Sequence, residues 1–184
     1  MSTGLADAAP HTRFRLLGLR TALSFLAVLL AAGGCGEEPP EQPLPQDLGV
    51  VHTFDVPSRQ HVTGRVRYAQ TPPVGGDHSA DIQPCGFYSS RIAVEKAVHS
   101  MEHGAVWITY RQGLPSEEVD ELRELTRRHD HLLVSQWDRQ LPAPIVASAW
   151  GRQVKLASPT DPRLEQFIRE FTSGAQAPEP GAYC

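Results

Sequence analysis

His99-Ser100-Met101-Glu102-His103 is the densest run of possible ligands and bases in the chain. If these residues are helical, His99 and His103 lie one turn apart on the same face, close enough to share a metal ion. Glu102, three residues after His99, falls on a neighbouring line of the helix. A third nitrogen donor is expected from His78, at the end of Thr71-Pro72-Pro73-Val74-Gly75-Gly76-Asp77. That segment cannot be helix or central strand, because its prolines lack donors and its glycines favour turns. It reads as an ordered loop stiff enough to deliver a ligand. Neutral imidazoles suit zinc, copper, iron or nickel. The expected site is therefore His78, His99 and His103 around zinc or copper. Met101 is half a turn away and is expected in the core.

His99-x-x-Glu-His also matches the inverted zincin pattern. In that alternative the protein is a metal-dependent hydrolase or peptidase, and Glu102 is the base acting on a metal-bound water. Gly104 is placed to end the helix directly after His103, which leaves a peptidase little helix to work with. Without a metal, the same residues would form a hydrogen-bonded network supporting the loop. His52 and His61 are expected to face solvent near strand starts, with completion of the metal site as the alternative. His129 and His131, on either side of Asp130, read as solvated or capping groups. No Ser, Cys or Thr has a base and an orienting acid in recognisable spacing, so covalent catalysis has no support.

The elements that must position these residues follow from periodicity. Ile92–His103 carries Ala93, Ala97 and Val98 at helical spacing, and Ala105–Tyr110 is β-branched and aromatic, hence a strand. Pro115 and Ser116, followed by Glu117 and Glu118, open a helix to about His129 with Val119, Leu122 and Leu125 on one face. His131–Trp137, Ile145–Trp150 and Val154–Ala157 read as strands. Pro162–Phe171 reads as an amphipathic helix with Leu164, Phe167, Ile168 and Phe171 inward. Val50–Val56 and residues 61–69 alternate weakly and are expected to be strands, the second with Val62, Val66 and Tyr68 inward. Trp107, Trp137 and Trp150 are expected in the core. The order strand, helix, strand, strand, strand, helix from Ala105 onward predicts an α+β or mixed α/β sandwich, a small sheet with two to three packed helices.

The 184 residues suit one domain with an ordinary core, and a net charge of -4 without a basic patch argues against a nucleic-acid partner. Arg13, Arg15 and Arg20 precede an apolar run, Thr21–Ala32, and small residues lead to Cys35; that order is a secretory signal. Gly33-Gly34-Cys35 resembles the lipobox of bacterial lipoproteins, in which the thiol is acylated and the signal is cut just before it. The resulting division is 1–34 signal peptide, 35–49 lipidated Cys35 and Pro-rich tether, and 50–184 a single globular domain. The tether holds Glu37, Glu38 and Glu41 among Pro39, Pro40, Pro43 and Pro45, a solvated spacer that stands a domain off a membrane. The expected location is the cell envelope, membrane-anchored and facing outside the cytoplasm. No protein partner is legible. Cys85 and Cys184 remain; in an oxidising compartment an even pair favours a disulfide, with Cys85 as a soft metal ligand the alternative.

Taken together, Thr71-Pro72-Pro73 with Gly76 and His78, Cys85-Gly86 with Tyr88, and Val98-His99-Ser100-Met101-Glu102-His103-Gly104 resemble the uncharacterised bacterial domain-of-unknown-function 3105 family. Leu141-Pro142-Ala143-Pro144 and Ala149-Trp150-Gly151 resemble it too, so the likeness spans roughly Val50 to Phe171. It implies that His78, His99, Glu102 and His103 are signature polar residues of one site, and it implies no activity.

Overall fold

A computed structural model describes residues 43–184. The expected signal peptide, Cys35 and the first part of the tether lie outside the described residues. The elements are β1 (His52–Thr53), β2 (Gly86–Tyr88), α1 (Val94–Glu102), β3 (Val106–Arg111), α2 (Ser116–Arg128), β4 (Leu132–Trp137), β5 (Ile145–Ala149), β6 (Arg152–Leu156) and α3 (Pro162–Phe171). All six strands form one open mixed sheet in the order β1-β6-β5-β3-β4-β2, an α+β fold as expected. β3 and β4 are parallel and joined through α2; β2 extends the parallel part beyond β4, while β5 and β6 continue antiparallel from β3.

Strand side chains alternate between faces, so one strand feeds two cores. From β3, Val106, Ile108 and Tyr110 join Leu122 and Leu125 of α2 and Leu164, Phe167, Ile168 and Phe171 of α3. Trp107 points the other way and packs with Trp137, Val146 and Trp150 against Ala97, Val98 and Met101 of α1. The sheet is thus buried on both faces, which is why β3, β4 and β5 read as nearly unbroken apolar runs. The helix ends follow local chemistry. α3 starts with Asp161 at its N-cap, where the side chain accepts from Arg163 N–H, and with Pro162 at the first helical position. α1 stops at His103, and Gly104 follows with φ +96°, a left-handed conformation that suits glycine. A Cβ at Gly104 would meet Ser173 Cα at 2.8 Å.

The amino-terminal third departs from the alternation pattern. The strand expected over Val50–Val56 shrinks to β1, two residues on the edge of β6. Residues 61–69 form no strand, and only His61 makes a bridge, to His78. Two of their backbone donors find partners outside any ladder: Val66 N–H donates to Glu95 Oε1 at 3.0 Å, and Val62 N–H to the His78 carbonyl at 2.7 Å. β2 lay hidden within Cys-Gly-Phe-Tyr because three residues are too few to display a period. Among the described residues, no helix is long and apolar enough to cross a membrane.

Candidate metal centre

The C-terminal half of α1 carries the helical part of the site. Its inner face is fixed by Ala97, Val98 and Met101 against the sheet. His99 and Glu102 consequently emerge on the side covered by the amino-terminal coil, and both are buried. The loop 71–78 brings His78 over them, fully buried at 0% exposure. Gly75 and Gly76, at φ +140° and +119°, take conformations unsuited to other residues; a Cβ at Gly75 would sit 3.0–3.1 Å from Val56 and Trp150.

His61 is the fourth member. Its segment is clamped to the loop by backbone and side chain. His78 N–H donates to the Gln60 carbonyl at 3.0 Å, Gln60 N–H donates to Asp77 Oδ1 at 2.9 Å, and Ser58 Oγ donates to the same oxygen. The Ser58 hydroxyl, with the Gln60 amide behind it, holds the Asp77 carboxyl below its usual range. The result is an almost equilateral set of imidazoles. The ring centroids of His61, His78 and His99 are 5.0, 4.8 and 4.9 Å apart. Glu102 closes the group, with Oε2 3.0 Å from His78 Nε2 and 4.0 Å from His61 Nε2. One ligand atom from each of the four lies within 4.8 Å of all the others.

The protonation pattern suits a cation. His78 Nδ1 lies 2.8 Å from the Gly76 carbonyl, which can only accept, so Nδ1 carries a proton and, in the neutral ring, Nε2 is the nitrogen with a lone pair to offer the group. An outer hydrogen bond of this kind commonly orients a metal-binding imidazole. Although Glu102 Oε2 is close, it lies off the direction of a hydrogen bond, and His78 Nε2 has no such partner; neither has buried His99 Nδ1. Burial pushes the His99 pKa down, helped by the neighbouring His103, His78 and His61, which favours the neutral, ligating form. The Glu102 side chain is only 4% exposed, and its nearest fixed cation is Arg59 Nη1 at 3.6 Å from Oε1.

Of the residues expected at the site, His78 and His99 come together with Glu102, whereas His103 is turned away. Its ring is 4.6 Å from that of His99, but Nδ1 donates to the Tyr183 carbonyl and Nε2 faces Glu179 at 3.7 Å. The carboxyl-terminal segment lies along the end of α1 as a strap. Glu179 N–H donates to the Glu102 carbonyl and Gly181 N–H to the His103 carbonyl, supplying partners that a helix end otherwise lacks. Cys184 then joins Cys85 in a disulfide with Cα atoms 5.4 Å apart, so Cys85 is not a metal ligand here. His52 lies elsewhere, beside Asp47, and His129 pairs with Glu165. His131 Nε2 meets the Ala182 carbonyl. Solvent exposure was the expectation for His61, with the metal site only the alternative; the alternative is the one the geometry favours, and nothing in the sequence separates His61 from His52, because its place depends on the bridge to His78.

Fold and site together define a class: an α+β domain in which three histidines and a glutamate converge at the end of a helix. The chain belongs to the family described as "Protein of unknown function (DUF3105)", whose model matches residues 61–184 and so includes all four converging residues. No curated protein and no solved structure matches it significantly.

Proposed function

We propose that this domain is a metal-binding module of the bacterial cell envelope, anchored through acylated Cys35 and holding zinc or copper between His61, His78, His99 and Glu102. The observation that carries the reading is the pair of buried ring nitrogens, His78 Nε2 and His99 Nδ1, left without hydrogen-bond partners beside a buried carboxylate. Each such nitrogen costs about 1–3 kcal/mol when nothing compensates it, and a divalent ion compensates both while meeting the carboxylate beside them. A hydrogen-bonded network without metal would instead use these nitrogens. Three imidazoles and one carboxylate suit zinc or copper(II). Tetrahedral zinc at 2.0–2.1 Å from each donor places donors about 3.3 Å apart. His61, whose side chain is 53% exposed and whose Nε2 stands 4.0 Å from Glu102 Oε2, would have to close inward to reach that spacing.

The position of Glu102 favours a closed site for structure or carriage over hydrolysis. It stands among the donors, and His103, which the zincin pattern needs as a ligand, is held by the strap. The test is elemental analysis and titration calorimetry on protein purified without a histidine tag. Wild-type protein should bind one zinc or copper ion per chain. His78→Ala and His99→Ala should each abolish stoichiometric binding, while His103→Ala should retain it. Equal binding by wild type and a His78→Ala/His99→Ala double variant would overturn the proposal.

A further inference from the structure

A second site opens at the other end of α1. A cavity of about 770 Å³ is walled by the coil from Arg65 to Pro73, by the approach to α1 at Arg91–Glu95, and by Trp137 and Arg139 at the end of β4. Four arginines line it, Arg65, Arg67, Arg91 and Arg139, against one acidic residue, Glu95. This concentration of positive charge occurs in a chain whose overall charge is -4.

The arginines are incompletely neutralised. Arg91 Nε stands 3.4 Å from Asp138 Oδ1, and Arg139 Nε shares that oxygen at 3.9 Å. Arg65 and Arg67 form no ion pair with any described residue. Glu95 is already an acceptor, tied to Val66 N–H at 3.0 Å. Like charges around a concavity add their potentials and raise the local concentration of anions. A guanidinium further matches a carboxylate or phosphate with two parallel hydrogen bonds. The cavity also has an apolar side, formed by Trp137, Ile92, Val94 and the ring of Tyr68, all packed on the core beneath α1. Tyr68 cannot supply the anion, since burial raises its pKa and its hydroxyl donates to the Asp77 carbonyl at 2.8 Å. A volume in the range of ordinary small-molecule sites, mixed lining, and convergent cations together define a ligand type.

We infer that this cavity binds a small organic anion, a phosphate or carboxylate group held by the arginines with an aromatic or apolar body laid against Trp137 and Ile92. The inference is independent of the metal centre: its lining includes none of the four converging residues, and binding should be the same before and after treatment with a chelator.

The probes are phenyl phosphate, benzoate, inorganic phosphate and benzyl alcohol, titrated into the mature chain by calorimetry and by fluorescence, which Trp137 is placed to report. Phenyl phosphate or benzoate should bind saturably, at least tenfold tighter than inorganic phosphate, which lacks the body, and benzyl alcohol, which lacks the charge. Whichever of the two is preferred identifies the anionic group. Arg65→Gln/Arg67→Gln should weaken binding at least tenfold with an unchanged melting temperature and unchanged metal content. Arg139→Gln, on the opposite wall, should weaken it independently. Failure of both organic anions to bind wild-type protein saturably, or equal binding by the wild type and both sets of variants, would overturn the inference.

Discussion

Replacing His61 with alanine would separate the proposed metal's contribution from that of the fold. The His61 side chain is 53% exposed, and what places it is its backbone bridge to His78, which alanine preserves. In the metal-free protein the substitution should therefore stay within the roughly 0.5 kcal/mol typical of surface changes. Its effect on the ion should be far larger. Structural zinc sites are worth about 10–16 kcal/mol, or on average about 3 kcal/mol for each of four ligands, so losing one should weaken binding roughly 100-fold. With free zinc at 1,000 times the wild-type dissociation constant, the ion stabilises the native state by about 4 kcal/mol; at a hundredth of that affinity the gain falls to about 1.4 kcal/mol. For a domain of this size about 4 °C accompanies each kcal/mol. The zinc-dependent rise in melting temperature should thus be about 10 °C smaller in His61→Ala, with the metal-free melting temperatures nearly equal. Differential scanning calorimetry with and without zinc measures both. An equal zinc-dependent rise in variant and wild type would remove His61 from the ligand set.

Cys35→Ser should abolish lipid labelling and move the protein from the membrane fraction to the aqueous phase of a detergent separation; aqueous partitioning of the wild type would sink the anchor. Cys184→Ser should cost up to about 4–5 kcal/mol in the chain-entropy account of a loop with a separation of 99 residues. It should also speed hydrogen exchange at the Glu179 and Gly181 amides, and identical melting with and without reductant would refute this. Asp161→Ala should cost about 1 kcal/mol at pH 7 through loss of the α3 cap. The Asp161 carboxyl is held below its usual 3.8, first by the Arg163 side chain. Its stabilising effect is therefore complete above that value and lost as pH falls through the depressed one, so the variant and wild-type stabilities should converge in acid.

What could be read from sequence was what is local. α1, α2, α3 and β3 to β6 announce themselves because each buries a face whose period is visible within a single segment. His99 and Glu102 were legible for the same reason, since helical spacing alone puts them near one another. His61 was legible only as an alternative shared with His52, because its position is set by the Ser58 and Gln60 contacts to Asp77 and by the bridge to His78, none of which leaves a periodic trace. The diversion of His103 is equally non-local. Helical geometry places it beside His99, and only the strap, arriving from Tyr183, takes its ring nitrogen. The weak alternation over residues 61–69 suggests a strand, but the segment makes only the single bridge of His61 to His78, and Val66 N–H goes to the Glu95 side chain instead of a neighbouring strand.

The position of Cys85 divides the converging residues into two pairs. His99 and Glu102 lie within the covalent ring closed by Cys85 and Cys184, together with most of the sheet; His61 and His78 lie on the chain outside it. An ion shared by all four would be a second crosslink, one that fastens the outer coil to the ring and can be undone without breaking a covalent bond. The two fasteners answer to different chemistry. A reductant opens the ring and loosens the strap, while a chelator frees the coil and leaves the ring closed. Limited proteolysis would then have two distinct signatures, cleavage within residues 50–84 after chelation and near residues 175–184 after reduction, and the sheet between them would be the last part of the domain to give way.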